Sequence, residues 1–371
     1  MLKVGIIGTG KIFDLNILGY LNNKDIEISC LCNRTVGKAK EKIKTFKLKP
    51  STPIYSDYRE MLNNEDLDVV DILLPNHLHE EVTIYAAEKK VKGISVQKPM
   101  ALTLEEADRM INACKNSGSI LSIYENFTFI PHLMKAKELI EQDYIGDISS
   151  IRIKIAISGK DGYNLPESAN LSREDSKGVH VRPNRSSILL SNIGWRAFSL
   201  GRWLFGEDIE KVFAWTGNYN SVDAPAYVMW KCKQNEDREH VVPQYGSLEF
   251  SLMPEMNRNS NYFNADEFIE IIGSRGIMKI NQGTSISNKI SDSVIFSPII
   301  VIRDEKVESF TNFEKDWKLS FINATKNFVE AVRDNKAPIL SGEQARNILR
   351  FSLAAIKSAE IGKEIYLDDL T

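Results

Sequence analysis

The sequence predicts an α/β protein: an N-terminal doubly wound parallel sheet, then a C-terminal α+β domain with a largely antiparallel open sheet. Three observations support this prediction. A short apolar run at residues 2–7 ends in a glycine turn at Gly8 and Gly10, as a buried strand does before a helix. Strand and helix patterns then alternate up to Tyr124, which builds a parallel sheet through right-handed crossovers. After Pro131, apolar residues recur with period two, which indicates antiparallel strands.

The glycine turn at residues 8–12 predicts an anion site. Gly5, Gly8 and Gly10 carry no Cβ atom that would hold a pyrophosphate away from backbone N–H groups. The predicted helix over residues 11–22 directs its free N–H groups and positive dipole end at such an anion. A dinucleotide is therefore the first ligand to expect, and an ordinary tight turn between strand and helix is the alternative.

Further elements are predicted across the first domain, residues 1–125. Strands are indicated at residues 26–32, 68–74, 93–96 and 120–124, and helices at residues 36–46, 80–90 and 104–117. Ligands of doubly wound sheets bind outside the carboxyl ends of the strands. The informative positions are therefore those directly after each strand, namely residues 8–12, 33–35, 75–79, 97–99 and 126.

A second domain is predicted over residues 126–371. Its predicted elements are a helix at residues 131–142, strands at 148–156, 212–216, 245–251 and 268–273, and helices at 319–334 and 341–361. The last helix begins with Ser341-x-x-Gln344, which resembles a capping box. Residues 157–187 are polar and indicate a long loop near the site.

Composition argues against several classes of protein. The net charge of −3, without runs of like charge, gives no electrostatic footprint for nucleic acid or for an anionic membrane. No stretch approaches the ~18 apolar residues of a membrane span, and the N-terminus fails as a secretory signal, so we expect a cytoplasmic protein. No metal site is expected, because no His pair has helical spacing. The scattered cysteines predict buried thiols; they are Cys30, Cys32, Cys114 and Cys232.

Short segments along nearly the whole chain match one known family in their order and spacing. They are Val4-Gly5-Ile6-Ile7-Gly8-Thr9-Gly10, Pro75-Asn76 with His79, Gln97-Lys98-Pro99-Met100, Asn126 with Phe129 and Pro131, residues 202–207, residues 270–276 and Ser358-Ala359-Glu360-x-Gly362. The chain thereby resembles the Gfo/Idh/MocA family, which includes glucose-fructose oxidoreductase and inositol dehydrogenase. The resemblance implies a nicotinamide cofactor in an N-terminal Rossmann domain. It also implies, commonly, a sugar or cyclitol held against the sheet of the second domain.

The strand ends and the resemblance together predict the cofactor site. The candidate residues are Gly8, Thr9, Gly10, Lys11, Ile12, Asn33, Arg34, Pro75, Asn76, His79, Gln97, Lys98 and Asn126. Asn33 occupies the place where an acidic residue normally accepts the ribose 2′-hydroxyl of NAD, whereas Arg34 can meet a 2′-phosphate. We therefore expect NAD(P), with NADP slightly favoured over NAD. The alternative is a surface Asn-Arg turn that accepts either cofactor.

Lys98 is the first candidate for proton chemistry. A lysine at the mouth of a buried parallel sheet is partly desolvated and close to the positive nicotinamide, and both effects favour its neutral form. Such an amine can exchange a proton with an alcohol while a hydride leaves the adjacent carbon. The family's usual carboxylate before this lysine is Gln97 here, which acts in the same direction. A surface lysine that caps a strand end is the alternative.

Residues 186–199 depart from the family pattern. Where relatives carry a glycine-rich run and then Asp-x-Gly-x-His, this chain has residues 186–188, Asn192 and Arg196. Arginine stays protonated at any working pH, so Arg196 can bind a carboxylate, phosphate or alkoxide but cannot readily accept a proton. His180, in the polar loop, is a candidate replacement acid or base, although a loop histidine is usually only solvated. The predicted substrate contacts are Lys98, Tyr124, Asn192 and Arg196.

Three functions stay open at this point. The first is an NAD(P)-dependent oxidoreductase of a sugar, sugar derivative or cyclitol, with Lys98, Arg196 and His180 as catalytic candidates and Tyr124 or Glu125 as further partners of Lys98. The second is a regulator that binds cofactor and sugar without turnover. The third is an elimination that starts with transient oxidation and cleaves a glycoside. The resemblance also implies a homodimer or homotetramer formed through the exposed face of the second sheet, with no nucleic-acid or membrane partner.

Overall fold

The computed structural model describes residues 1–158, 189–219, 223–234, 242–253, 255, 265–283, 297–314 and 316–370. The chain divides into two compact units. Unit 1 contains Met1–Phe129 and Asp316–Leu349, and unit 2 contains Ile130–Lys315 and Arg350–Thr371. This division differs from a second domain that takes in all of residues 126–371. Residues 316–349 join unit 1 because the helix in this segment buries Phe328, Val329 and Val332 in the apolar core of that unit.

Unit 1 is built on a parallel sheet with the strand order β3-β2-β1-β4-β5-β6. Its strands are β1 (Leu2–Ile7), β2 (Ile26–Cys32), β3 (Ile54–Tyr55), β4 (Val69–Ile72), β5 (Gly93–Gln97) and β6 (Ile120–Tyr124). The helices between them are α1 (Phe13–Leu21), α2 (Val36–Thr45), α3 (Tyr58–Asn64), α4 (His79–Glu88) and α5 (Leu104–Ser117). This is the order of a dinucleotide-binding sheet, in which the direction of winding reverses between β1 and β4. The predicted fold class is confirmed.

Local signals account for the helix boundaries that the sequence predicts well. At the start of α5, the Thr103 hydroxyl accepts the backbone N–H of Glu106, and the Glu106 carboxylate accepts the backbone N–H of Thr103. This reciprocal pair is a capping box. The helix ends at Gly118, which has a φ of 78°, a conformation that glycine adopts without strain. Neither β3 nor α3 is predicted from the sequence, because a strand of two residues and a helix of seven residues are too short to show a clear period.

Unit 2 is built on a mixed sheet with the order β14-β13-β12-β11-β7-β10-β9-β8-β15. Its strands are β7 (Ile148–Ser158), β8 (Ile209–Thr216), β9 (Ala226–Cys232), β10 (Tyr245–Met253), β11 (Ala265–Gly273), β12 (Ile277–Gly283), β13 (Ile299–Arg303), β14 (Lys306–Phe310) and β15 (Ile365–Tyr366). Its helices are α6 (Pro131–Glu141) and α7 (Gly194–Phe205), the latter preceded by a π-helical turn at Leu189–Ile193. Pairing is antiparallel except between β7 and β10, which agrees with the predicted antiparallel character.

Two helices complete the chain, α8 (Lys318–Asp334) and α9 (Gly342–Ile361). Within unit 1, α8 packs closely on α1. A Cβ atom at Gly19 of α1 would lie 2.2 Å from the Thr325 side chain of α8. At the start of α9, the backbone N–H of Gln344 donates to the Ser341 hydroxyl at 3.4 Å, which is one half of the predicted capping box. Within the described residues, none of the helices combines the length and the apolar content that crossing a bilayer requires.

All four cysteines are buried and unpaired, as predicted. Desolvation raises the pKa of the thiols of Cys32, Cys114 and Cys232 to about 12, and it raises that of Cys30 as well. A thiol that stays protonated is a poor nucleophile and a poor metal ligand. These side chains therefore act as small apolar core residues.

Candidate active site

The glycine turn after β1 is shaped by backbone contacts. Gly8 has a φ of 103°, and a Cβ atom there would lie 2.5 Å from the Leu73 carbonyl oxygen, so only glycine fits. At Gly10, by contrast, a Cβ atom would meet nothing within 4 Å. Packing within the protein therefore does not require glycine at position 10. The position instead leaves the backbone open to close approach by a ligand.

The start of α1 has the features of an anion site. Its N-cap residue, Ile12, makes no side-chain capping bond. The backbone N–H of Phe13 donates to Gly10 O at 3.1 Å, whereas the N–H groups of residues 10–12 find no acceptor within the described ranges. Unpaired N–H groups at a helix N-terminus, together with the helix dipole, bind phosphate.

Thr9 and Asn33 join the glycine turn to the end of β2. The backbone N–H of Thr9 donates to Asn33 Oδ1 at 3.2 Å, and Asn33 Nδ2 donates to Thr35 O at 2.9 Å. The Thr9 hydroxyl is buried and has no hydrogen-bond partner among the residues that the structure describes. Arg34 is exposed. Asn33 therefore braces the turn, and Arg34 is the charged side chain that this corner presents to solvent.

His79 links the segments that follow β4 and β5. The side chain is buried, with Nε2 2.8 Å from Leu74 O and Nδ1 3.1 Å from Pro99 O. Desolvation lowers its pKa, so the ring is neutral near pH 7. Because both ring nitrogens contact backbone carbonyl groups, His79 is suited to shaping this edge rather than to touching a cofactor.

Gln97 and Lys98 stand at the carboxyl end of β5. Gln97 Oε1 accepts the backbone N–H of Lys98 at 3.0 Å. Gln97 Nε2 is buried and has no acceptor in the described part of the chain. Lys98 is half-buried. A buried donor without an acceptor is costly, so this strand end could hold a ligand that offers an oxygen acceptor.

Two predicted ligand contacts at the end of β6 form hydrogen bonds to α8. The Tyr124 hydroxyl donates to Phe321 O at 2.9 Å and lies 3.3 Å from Thr325 Oγ1. The Tyr124 hydroxyl is thus engaged in the core of unit 1, and a substrate contact by Tyr124 stays a prediction. Asn126 Nδ2 donates to Ser320 Oγ at 2.8 Å. A cofactor contact through the remaining amide oxygen of Asn126 stays a prediction.

In unit 2, Arg196 belongs to a buried ion pair. Its Nη1 atom donates to Glu267 Oε1 at 2.7 Å, and the two side chains are 10% and 4% exposed. A guanidinium with a carboxylate beside it attracts a second anion less than one without such a neighbour, and a substrate contact by Arg196 stays a prediction. Glu267 is not among the residues predicted from the sequence. The signal for it was the inward-facing row of alternate residues on β11, which Glu267 shares with Ile269 and Ile271.

The other predicted site residues are Pro75, Asn76, Asn192, Lys11 and His180. Pro75 and Asn76 lie at the start of a 3₁₀ turn, Asn76–Leu78, directly after the end of β4. Asn192 lies in the π-helical turn before α7 and is half-buried. Lys11 is exposed beside Gly10. His180 lies outside the described residues.

Comparisons with known proteins agree with this architecture. A family model described as "Oxidoreductase family, NAD-binding Rossmann fold" matches residues 2–125, and one described as "Oxidoreductase family, C-terminal alpha/beta domain" matches residues 137–367. Myo-inositol 2-dehydrogenase of Thermotoga maritima is 24% identical over 376 residues, which cover 100% of this chain and 99% of that enzyme. D-apiose dehydrogenase of Paraburkholderia graminis is 22% identical over 374 residues, which cover 99% of this chain and 90% of that enzyme.

A solved structure shares the fold over nearly the full length. It is scyllo-inositol dehydrogenase from Lactobacillus casei, with bound cofactor NAD(H) and scyllo-inositol, and it matches with a TM-score of 0.73 at 17% identity. The match covers 99% of both chains.

Proposed function

The chain belongs to the Gfo/Idh/MocA oxidoreductase family, and on that premise we propose that it moves a hydride between bound NAD(P) and a hydroxyl or keto carbon of a sugar, sugar derivative or cyclitol. The observation that carries this proposal is Lys98 beside the buried, unpaired Gln97 Nε2 at the carboxyl end of β5. The relatives named above are dehydrogenases of myo-inositol and D-apiose, which supports a polyol substrate.

The carboxyl edge of unit 1 fits a nicotinamide dinucleotide. The N–H groups of residues 10–12 would hold the pyrophosphate, and Gln97 Nε2 would donate to an oxygen of the nicotinamide riboside half. When bound, the nicotinamide accepts or supplies the hydride. The residues at this edge therefore bind and orient the cofactor, and a side chain has to transfer the substrate proton.

Lys98 is the group that moves the proton. In the oxidation direction, the neutral amine takes the proton of the substrate hydroxyl as the hydride leaves the carbon that bears this hydroxyl. In the reduction direction, the ammonium returns a proton to the oxygen of the keto group. Gln97 holds the Lys98 backbone N–H, and His79 contacts the next carbonyl group, that of Pro99. The lysine is therefore presented from a backbone that is held on both sides.

The Arg196–Glu267 pair supports an uncharged substrate. The pair combines guanidinium donors with a carboxylate acceptor, and a hydroxyl group can hydrogen-bond to either of them. Neutral sugars and cyclitols are therefore the proposed substrate class, ahead of sugar acids.

Turnover assays test this proposal directly. The purified protein is mixed with NAD or NADP and a panel of neutral sugars, sugar acids and cyclitols, and the nicotinamide absorbance is followed. We expect reduction of the cofactor with at least one neutral polyol. Tight cofactor binding without turnover of any substrate would favour the regulator, which the replacement of the family's usual histidine by Arg196 also favours.

Cofactor preference depends on Arg34 in this proposal. Arg34→Ala removes the exposed guanidinium that would pair with a 2′-phosphate, so we expect KM for NADP to rise about tenfold, the equivalent of ~1.4 kcal/mol. KM for NAD stays within about twofold, because NAD carries no such phosphate. Steady-state kinetics with each cofactor measures both values. Equal effects on the two cofactors would contradict the assignment.

A second copy of the chain is the proposed partner of the unit 2 sheet. Trp215 on β8 pairs with Tyr227 on the neighbouring β9 strand. Trp215, Tyr227, Met229 and Tyr245 are 46–56% exposed. Monomeric proteins rarely leave so many large apolar side chains together on one sheet face. We therefore propose that this face mediates homo-oligomer formation.

The double substitution Trp215→Arg and Tyr227→Glu tests the oligomer. It places charges on the proposed interface, so we expect the assembly to dissociate to a monomer at micromolar concentration, because buried charges oppose association. Sedimentation equilibrium measures the mass. Met134→Glu, on the exposed side of α6, is the matched control and should keep the wild-type mass. A wild type that is already monomeric would contradict the proposal.

A further inference from the structure

Glu125 is a buried carboxylate at the end of β6 that the proposed function does not use. It is 3% exposed. Its Oε1 atom accepts the backbone N–H of Phe127 at 3.0 Å, whereas Oε2 is buried and has no partner within the residues described. Burying a carboxylate oxygen without a hydrogen-bond donor or a cation beside it costs free energy of folding.

The register of the sheet brings Glu125 next to Lys98. β5 and β6 are parallel neighbours, and their last paired residues are Gln97 and Tyr124. Lys98 and Glu125 are the next residues on each strand, so their backbones leave the sheet side by side at the ~4.8 Å spacing of adjacent strands. The position before Lys98 holds a neutral amide. The residue that leaves the neighbouring strand beside Lys98 is therefore a carboxylate, Glu125.

We propose that Glu125 is a positioning residue for Lys98: its carboxylate orients the amine and stabilises the ammonium that forms when Lys98 takes the substrate proton. This inference rests on the proposed function of Lys98. The proton passes from the substrate hydroxyl to the Lys98 amine, so the O–H bond breaks as the N–H bond forms. No covalent bond of Glu125 forms or breaks in this step. Its effect is electrostatic, since an opposite charge within ~4–6 Å favours the charged form of its partner.

Other titratable groups lie on the elements packed around this strand end. Tyr124 on β6 and His79 beside Pro99 are buried, and desolvation raises the pKa of Tyr124 and lowers that of His79, so both are neutral near pH 7. Asp316 and Lys318 lie before and at the start of α8. The titratable group at the end of β5 is Lys98 itself.

The test measures how Lys98 titrates in wild type, Glu125→Gln and Glu125→Asp. Acetylation of Lys98 in the protein without cofactor is followed against pH by mass spectrometry, and kcat is followed over the same range. We expect Glu125→Gln to shift both profiles to lower pH by about one unit or more, and Glu125→Asp to restore most of the shift. Glu88→Gln, on the exposed end of α4, is the control and leaves both profiles unchanged.

Three results would overturn the inference. Unshifted profiles in Glu125→Gln, with Lys98→Ala inactive, overturn the role of Glu125 and leave the proposed function intact. A lower kcat at every pH without a shift assigns Glu125 to the fold of its loop alone. Turnover retained by Lys98→Ala overturns both the inference and the proposed function. Dinucleotide binding by each variant, measured by fluorescence, shows that it is folded.

Discussion

Replacing Lys98 by alanine is expected to lower kcat by about 10²–10⁴-fold, the usual contribution of a positioned general acid or base. The substitution removes the amine that exchanges the substrate proton. It leaves the glycine turn and the Gln97 side chain in place, so the affinity for NAD(P) should change by less than about threefold, since the phosphate contacts hold most of the cofactor. A large effect on turnover with a small effect on binding is the signature of a catalytic residue.

Two further variants make this test specific. Lys98→Arg keeps a positive charge but cannot release a proton near neutral pH, so it should be as inactive as Lys98→Ala. Lys40→Ala, an exposed lysine on α2, should retain wild-type kinetics. Turnover by Lys98→Ala within tenfold of wild type would show that another group carries the proton.

Asp71 is a buried carboxyl group in the middle of the unit 1 sheet. It lies on β4 and is 0% exposed. Asn16 Nδ2 lies 3.5 Å from its Oδ2 atom. Desolvation raises the pKa of Asp71 to about 6, and the neighbouring polar groups of Ser95, Asn16 and Tyr20, which favour the charged form, oppose this only in part. The residue therefore titrates in the folded protein well above its ordinary value of 3.8.

The second prediction concerns stability against pH in Asp71→Asn. Because the folded-state pKa is raised, the folded protein holds this proton more tightly than the unfolded chain does. The resulting stability is fully present below pH 3.8 and is lost as the pH rises through about 6. The free energy of unfolding falls by about 3 kcal/mol over this pH range. Asparagine does not titrate, so the wild type should lose about this much stability relative to Asp71→Asn between pH 4 and pH 7.

Urea unfolding of both proteins across this pH range measures the difference. Comparison of variant with wild type cancels the titration of all other groups. Asp66→Asn is the matched control, because the Asp66 side chain is fully exposed and its removal should leave the pH profile parallel to that of wild type. A constant difference between Asp71→Asn and wild type would mean that Asp71 keeps its ordinary pKa in the folded state.

Much of unit 1 follows from local sequence patterns. The predicted ranges 26–32, 104–117 and 120–124 coincide with β2, α5 and β6, because buried parallel strands are continuous apolar runs and α5 carries its own capping box. The glycine turn is equally visible in the sequence, since Gly8 and Gly10 directly follow the apolar run of β1. The candidate cofactor-binding residues directly after the strands could be predicted from one rule, namely that the carboxyl ends of parallel strands lie at the same edge of the sheet.

The partners of the polar side chains depended on contacts between distant parts of the chain. The Tyr124 hydroxyl meets Phe321, which is 197 residues away, and Arg196 meets Glu267, which is 71 residues away. No pattern with a period of two or 3.6 residues carries that information. Such a pattern shows only which face of an element is buried, not what it is buried against.

The α/β class, the glycine turn, the strand ends and the residue types at those ends can therefore be read from the amino-acid order, because they depend on neighbours within a few positions. The folded chain was needed to show that residues 316–349 belong with the first unit, that Arg196 pairs with Glu267 and that the hydroxyl of Tyr124 is engaged. A buried polar group takes whichever partner the packing of distant elements brings to it.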